Sequence, residues 1–170
     1  MPSAAKQKGN SWEREVAKNL SEIFNENFLR VPNSGAYTGG ANVFRVSDLT
    51  EAQRRMMDGD IIVPPCMSNF KIECKNYGEF CFHQLFDTNK TLDKWITQAE
   101  SGILWFLLIK VTRKGSFVVF SKELQSVFSY ENYLHYKDKY IITSYNNFWN
   151  INADTIRQLN KNPESVLQTT

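Results

Sequence analysis

The stretch DGDIIVPPCMSNFKIECKNYGEF, residues 58–80, sets Asp60 at the mouth of one apolar run and puts Glu73 and Lys75 inside a second. Strand interiors exclude charge unless it is paired or bound to a metal. Side chains alternate along a strand, so Glu73 and Lys75 share one face while Ile72 and Cys74 share the other. If DGDIIV lies beside that strand, as a hairpin partner or a neighbour, Asp60 comes close to Glu73. Two close carboxylates repel, a divalent cation relieves the repulsion, and hard oxygen donors favour magnesium or manganese over zinc. A lysine beside such an ion can orient or help deprotonate a water. Hydrolysis of a phosphodiester is the reaction these parts suit. The plainer alternative is a salt bridge from Lys75 to Glu73 or Asp60 on an exposed sheet face.

A third acid comes from the first helical pattern, SWEREVAKNLSEIF, in which Trp12, Val16, Ala17, Leu20, Ile23 and Phe24 form an apolar stripe. At about 100° per residue, Glu13 falls inside that stripe and Arg14 and Glu15 fall outside it. Glu13 therefore faces the sheet and needs a partner there. Two are open to it: the backbone amide of a capping box with Asn10 as the cap, or the metal site of Asp60 and Glu73.

The elements that must position these groups emerge from pattern and punctuation. After the first helix, FLRVP is a short extended segment leading into a loop rich in glycine and asparagine, and VSDLTEAQRRMM reads as a short helix from Ser47 or Thr50. The glycine of DGD marks a turn before the strand IIV, and PPCMSN connects it to the strand FKIECKNY. FHQLFDTNKTLDKWITQAESG reads as one helix stopped by Gly102. ILWFLLIKV has the length and apolarity of a strand buried on both faces, and RKG turns it into the strand SFVVF. Ser121 caps a helix KELQSVF. The rest is aromatic and irregular up to a last helix around NADTIRQLN, with Pro163 just beyond it. This order suits an α/β fold, a mixed β-sheet flanked by helices.

With 170 residues the chain makes one domain, 1–170. No apolar run reaches the roughly 18 residues of a membrane span, the N-terminus lacks a signal-peptide core, and the three cysteines form no CxxC pair, so a cytoplasmic protein is expected. A net charge of +2 does not announce nucleic-acid binding, so any basic face is local. Candidates are AAKQKGN and the arginines Arg45, Arg54 and Arg55, for which a solvated surface is the alternative.

In order and type, KGNSWEREVAKNL, RVPNSG, GDIIV and IECK resemble the archaeal-type Holliday junction resolvases of the PD-(D/E)xK nuclease superfamily, over roughly residues 8 to 120. The resemblance implies a restriction-endonuclease-like fold and a magnesium-dependent DNA endonuclease, with manganese as a substitute, that resolves four-way junctions or other branched DNA as a homodimer. It implies that Asp60 and Glu73 bind the metal, that Lys75 handles the attacking water, and that Glu13 completes the metal site or orients its water. Arg14, Arg30 and Ser34 match residues that contact the DNA backbone or the scissile phosphate. Surface salt bridges and a turn hydrogen bond are the alternatives for these three.

The chain departs from the family pattern in an insertion over about 36–57, in Gly59 where a proline is usual, and in an aromatic extension over about 121–170. Arg45, Arg54 and Arg55 make the insertion a candidate DNA-recognition element, with a lid or a dimer element as alternatives. Asp58 competes with Asp60 as the metal ligand, but Asp60 directly precedes the strand. Cys66, Cys74, Cys81 and His83 match no zinc spacing. His83, Gln84 and Gln98 are candidate cleft residues, and Tyr77, Phe80 and Phe82 are candidates for base stacking or for packing. Two rival functions keep the same fold: a restriction-type or nicking enzyme acting on linear duplex, and a DNA-binding module without catalysis.

Overall fold

The strand β4 (Leu104–Val111) separates two hydrophobic cores, because alternate side chains of LWFLLIKV leave the sheet on opposite sides. Leu104, Phe106 and Leu108 join one core, and Trp105, Leu107, Ile109 and Val111 join the other. The computed structural model describes residues 4–32, 58–100 and 104–163. The expected helix from Ser47 or Thr50, the insertion itself and Gly102 lie outside them.

Among the described residues, the first core is closed by α1 (Ala4–Phe24) and the C-terminal α3 (Tyr145–Lys161), and the second by α2 (Lys90–Ala99). Between these layers runs a five-stranded sheet. Its remaining strands are β3 (Phe70–Tyr77), β5 (Gly115–Ser121), β6 (Tyr133–Tyr136) and β7 (Tyr140–Ser144), in the order β3-β4-β5-β7-β6. β3 and β4 are parallel, with α2 as the crossover, and the other pairings are antiparallel. The fold is mixed α/β, as the order of elements implied, and restriction-endonuclease-like, as the resemblance implied. No helix among the described residues is long and apolar enough to cross a membrane.

Several elements differ from the sequence expectation. α1 begins at Ala4, so Asn10 lies within the helix and does not cap it. The expected single helix over FHQLF and NKTLDKWITQA is split into a 3-10 turn, Phe82–Phe86, and α2. Asn89 makes the break: its side chain is buried and accepts from Leu92 N at 2.9 Å, while its own N–H donates to the Tyr136 hydroxyl at 2.9 Å. Ser121 does cap, but it starts only a single 3-10 turn, Lys122–Leu124.

The largest difference is the aromatic extension, which supplies β6, β7 and α3 to the same sheet and core. Phe106 meets Phe128, Phe148 and Trp149 at centroid distances of 5.7, 5.7 and 5.0 Å, so the aromatic residues beyond 120 complete the first core.

The strands IIV and FKIECKNY are neighbours but not a hairpin. β2 (Ile61–Ile62) instead pairs antiparallel with β1 (Leu29–Arg30) in a separate two-stranded ribbon. β3 is therefore an edge of the main sheet, and Asp60 docks on its outer side.

Candidate active site

Asp60 is fixed on the rim of β3 by two hydrogen bonds. Its N–H donates to Ile72 O at 2.8 Å, and its carboxylate Oδ2 accepts from Cys74 N at 2.8 Å. An edge strand has backbone groups to spare, and here Asp60 takes two of them. The preceding Gly59 makes the approach with φ of +92°. A proline is locked near −65° and cannot adopt that angle, which gives a physical reason for glycine at this position.

β3 shows the alternation expected of it: Ile72 and Cys74 are buried, and Lys71, Glu73 and Lys75 are half-buried on the opposite face. Lys75 Nζ donates to Glu73 Oε1 at 2.7 Å. Burial pushes the Glu73 carboxyl above its ordinary value, the Asp60 charge pushes it further, and Lys75 and Lys71 oppose both. Burial likewise raises the Cys74 thiol, with Asp60, Glu13 and Glu73 adding to the shift. Of these three carboxylates, Asp60 touches Cys74 directly, through its backbone N–H.

Glu13 is buried and faces the sheet, as its place in the apolar stripe required. It does not close a capping box. Its Oε2 accepts from Arg30 Nε at 2.5 Å, and Arg30 Nη2 donates to Asn10 Oδ1 at 2.9 Å. Burial raises the Glu13 carboxyl first, the Arg30 hydrogen bond lowers it, and the Asp60 charge raises it again. Arg30 thereby ties β1 to α1, with its charge against Glu13.

This pair carries a stability consequence. With side-chain exposures of 19% for Arg30 and 9% for Glu13, removing one partner strands a buried charge. Arg30→Ala is expected to lower unfolding stability by about 3 kcal/mol, and adding Glu13→Gln is expected to restore part of the loss. Denaturant midpoints of the two variants check this, and a Glu13→Gln addition that lowers the midpoint further contradicts it.

The other expected residues divide clearly. Asp58 is half-exposed and pairs with Lys71 Nζ at 2.9 Å, on the far side of Gly59 from Asp60. Arg14 is exposed on α1. Ser34, Arg45, Arg54 and Arg55 lie outside the described residues. His83, Gln84 and Gln98 are exposed, and the Gln98 carbonyl accepts from Lys71 Nζ at 2.8 Å. Phe80 stacks on Trp95, Phe82 meets Phe117 edge-on, and Tyr77 packs on Trp95 yet stays 45% exposed.

Two residues escaped the sequence reading. Lys71 could have been found, since it lies two places before Glu73 on the same face. Asn10 could not, because Asn-x-x-Glu ahead of an apolar run carries the signature of a cap.

Among the described residues, no three acidic, histidine or cysteine side chains stand close enough to cage an ion. The donor set of Asp60 and Glu73 still fits one kind of cation. Magnesium is usually bound by one or two carboxylates and keeps waters and substrate phosphates as its other ligands. Glu13 is engaged by Arg30 and feels the Asp60 charge.

A family model described as "Phage putative PDDEXK endonuclease" matches residues 4–165, α1 through α3. No curated protein and no solved structure matches the chain. The family model spans nearly the whole sequence, including the aromatic extension, and the chain belongs to this endonuclease family of the PD-(D/E)xK superfamily.

Proposed function

We propose that the protein hydrolyses phosphodiester bonds in DNA with a divalent ion, magnesium or manganese in its place, held by Asp60 and Glu73. One observation carries this reading: two carboxylates share the rim of β3 beside an ammonium, and burial together with the Asp60 charge already disfavours the ionised form of Glu73. A cation removes that penalty. When bound, the ion supplies Lewis-acid stabilisation of the charge that develops on the phosphate. Lys75 orients the attacking water through Nζ, which Glu73 steadies. Arg30, held by Glu13 and Asn10, meets the scissile phosphate, and Arg14 contacts the backbone beside it. Ser34, Arg54 and Arg55 are proposed as further DNA contacts.

The proposed substrate is four-way or other branched DNA, on the strength of the motif order shared with the archaeal-type resolvases. Two symmetric nicks in a junction require two active sites related by a twofold axis, so the acting species is a homodimer, proposed to work in the cytoplasm.

The test compares a labelled four-way junction with a linear duplex of the same sequence, in magnesium and in chelator. Symmetric nicks in the junction, an intact duplex and no product in chelator are expected. Equal cutting of the duplex replaces the junction reading with a restriction-type or nicking enzyme. Binding without cleavage in magnesium reduces the protein to a DNA-binding module.

A further inference from the structure

The turn between β4 and β5 presents a second surface beside the site. Thr112 N and Thr112 Oγ1 both donate to the carbonyl of Tyr77, at 2.9 and 3.2 Å, so the turn is tied to the end of β3. Tyr77 lies two residues past Lys75, about 7 Å along a strand. Lys114 N donates to Val111 O at 2.9 Å and closes the turn, which makes Arg113 its third residue, with φ of +63°.

A positive φ at that position is what glycine or asparagine takes at least cost. Gly115, with φ of +116°, obeys that rule, and Arg113 does not. Folding alone gives no reason for a guanidinium there. Arg113 and Lys114 are both exposed, and neither has an acidic partner among the described residues. Nearby Lys110 is already engaged by Glu15 at 2.5 Å, and Glu79 is exposed in the loop that follows Tyr77.

We infer that Arg113 and Lys114, at the tip of the β4–β5 hairpin, bind backbone phosphates of the DNA duplex flanking the cleaved bond. The inference rests on the endonuclease reading above and adds a surface to it. Two cations without acidic partners, fixed next to the carboxylate and lysine strand, complement a polyanion that must cross that strand to be cut. Contacts of this kind set register and affinity without reading sequence.

The test measures binding of a labelled duplex and a labelled four-way junction to the parental protein in chelator, across a salt series, beside Arg113→Gly, Lys114→Gln and Lys139→Gln. Lys139 lies in the β6–β7 turn at the opposite edge of the sheet and controls for loss of one charge. Arg113→Gly is expected to bind about five- to tenfold more weakly near 0.1 M salt, with the slope of log K against log salt shallower by about one. Its thermal midpoint is expected to equal or exceed the parental value, a split that a purely structural arginine does not produce. Lys114→Gln is expected to weaken binding similarly, and it keeps the test open if Arg113→Gly is unstable. Unchanged affinity and slope in both, or losses no larger than for Lys139→Gln, overturn the inference. Absence of DNA binding by the parental protein overturns the endonuclease reading together with it. Tip-dependent binding without cleavage in magnesium overturns the endonuclease reading alone.

Discussion

Asp60→Asn is expected to leave the protein folded and able to bind DNA while cleavage falls about a thousandfold or more, roughly 4 kcal/mol of transition-state stabilisation. The fold survives because the asparagine side-chain oxygen can still accept from Cys74 N, as Oδ2 does now at 2.8 Å. Stability is expected to hold or rise, since the Asp60 charge is one of the causes that push up both the Glu73 and Glu13 carboxyls. The change removes a hard anionic donor. Single-turnover cleavage in magnesium, paired with binding in chelator, separates the two effects. Cleavage by Asp60→Asn at the parental rate sinks the site assignment, and so does a loss of cleavage that tracks a loss of folded protein.

Much of this arrangement was legible because it depends on short periods. The two-residue alternation of FKIECKNY placed Glu73 and Lys75 on one face, and the unbroken apolar run of β4 marked a strand buried on both sides. The helical stripe around Trp12 put Glu13 toward the sheet. Each inference used only neighbours in sequence.

The features that stayed hidden depended on distant partners. The β6–β7 hairpin turns through Lys137 and Asp138, whose φ values are +51° and +53°. Such turns normally announce themselves with Asn-Gly or Asp-Gly, and KDK carries no such sign. α3 begins with Tyr145, Asn146, Asn147, Phe148 and Trp149, none a strong helix former. Burial of Phe148 and Trp149 against Phe106 outweighs that weak propensity, and Phe106 stands some forty residues earlier. The partner of Glu13 was hidden in the same way: Arg30 reaches it from the ribbon of β1 and β2, a pairing that no local pattern encodes.

Gly59→Ala is expected to damage both stability and cleavage, and it tests placement where Asp60→Asn tests chemistry. A Cβ on residue 59 would stand 2.6 Å from the carbonyl oxygen of Ile72 and 3.2 Å from Lys71 Cγ. The lysine side chain can move aside. The carbonyl cannot, because it is the acceptor of the Asp60 N–H at 2.8 Å. The backbone at φ of +92° is costly for any residue with a Cβ, so strain and contact together should cost about 2–4 kcal/mol. The chain has one cheap escape, which is to lift Asp60 off the rim of β3 and lose its bonds to Ile72 and Cys74. Escape by that route preserves most of the core but moves the carboxylate away from Glu73, so cleavage falls further than the population of folded protein does. A lowered denaturant midpoint with cleavage reduced beyond the folded fraction is the expected pair of results. Parental stability and parental cleavage in Gly59→Ala show instead that Asp60 does not depend on this turn for its position.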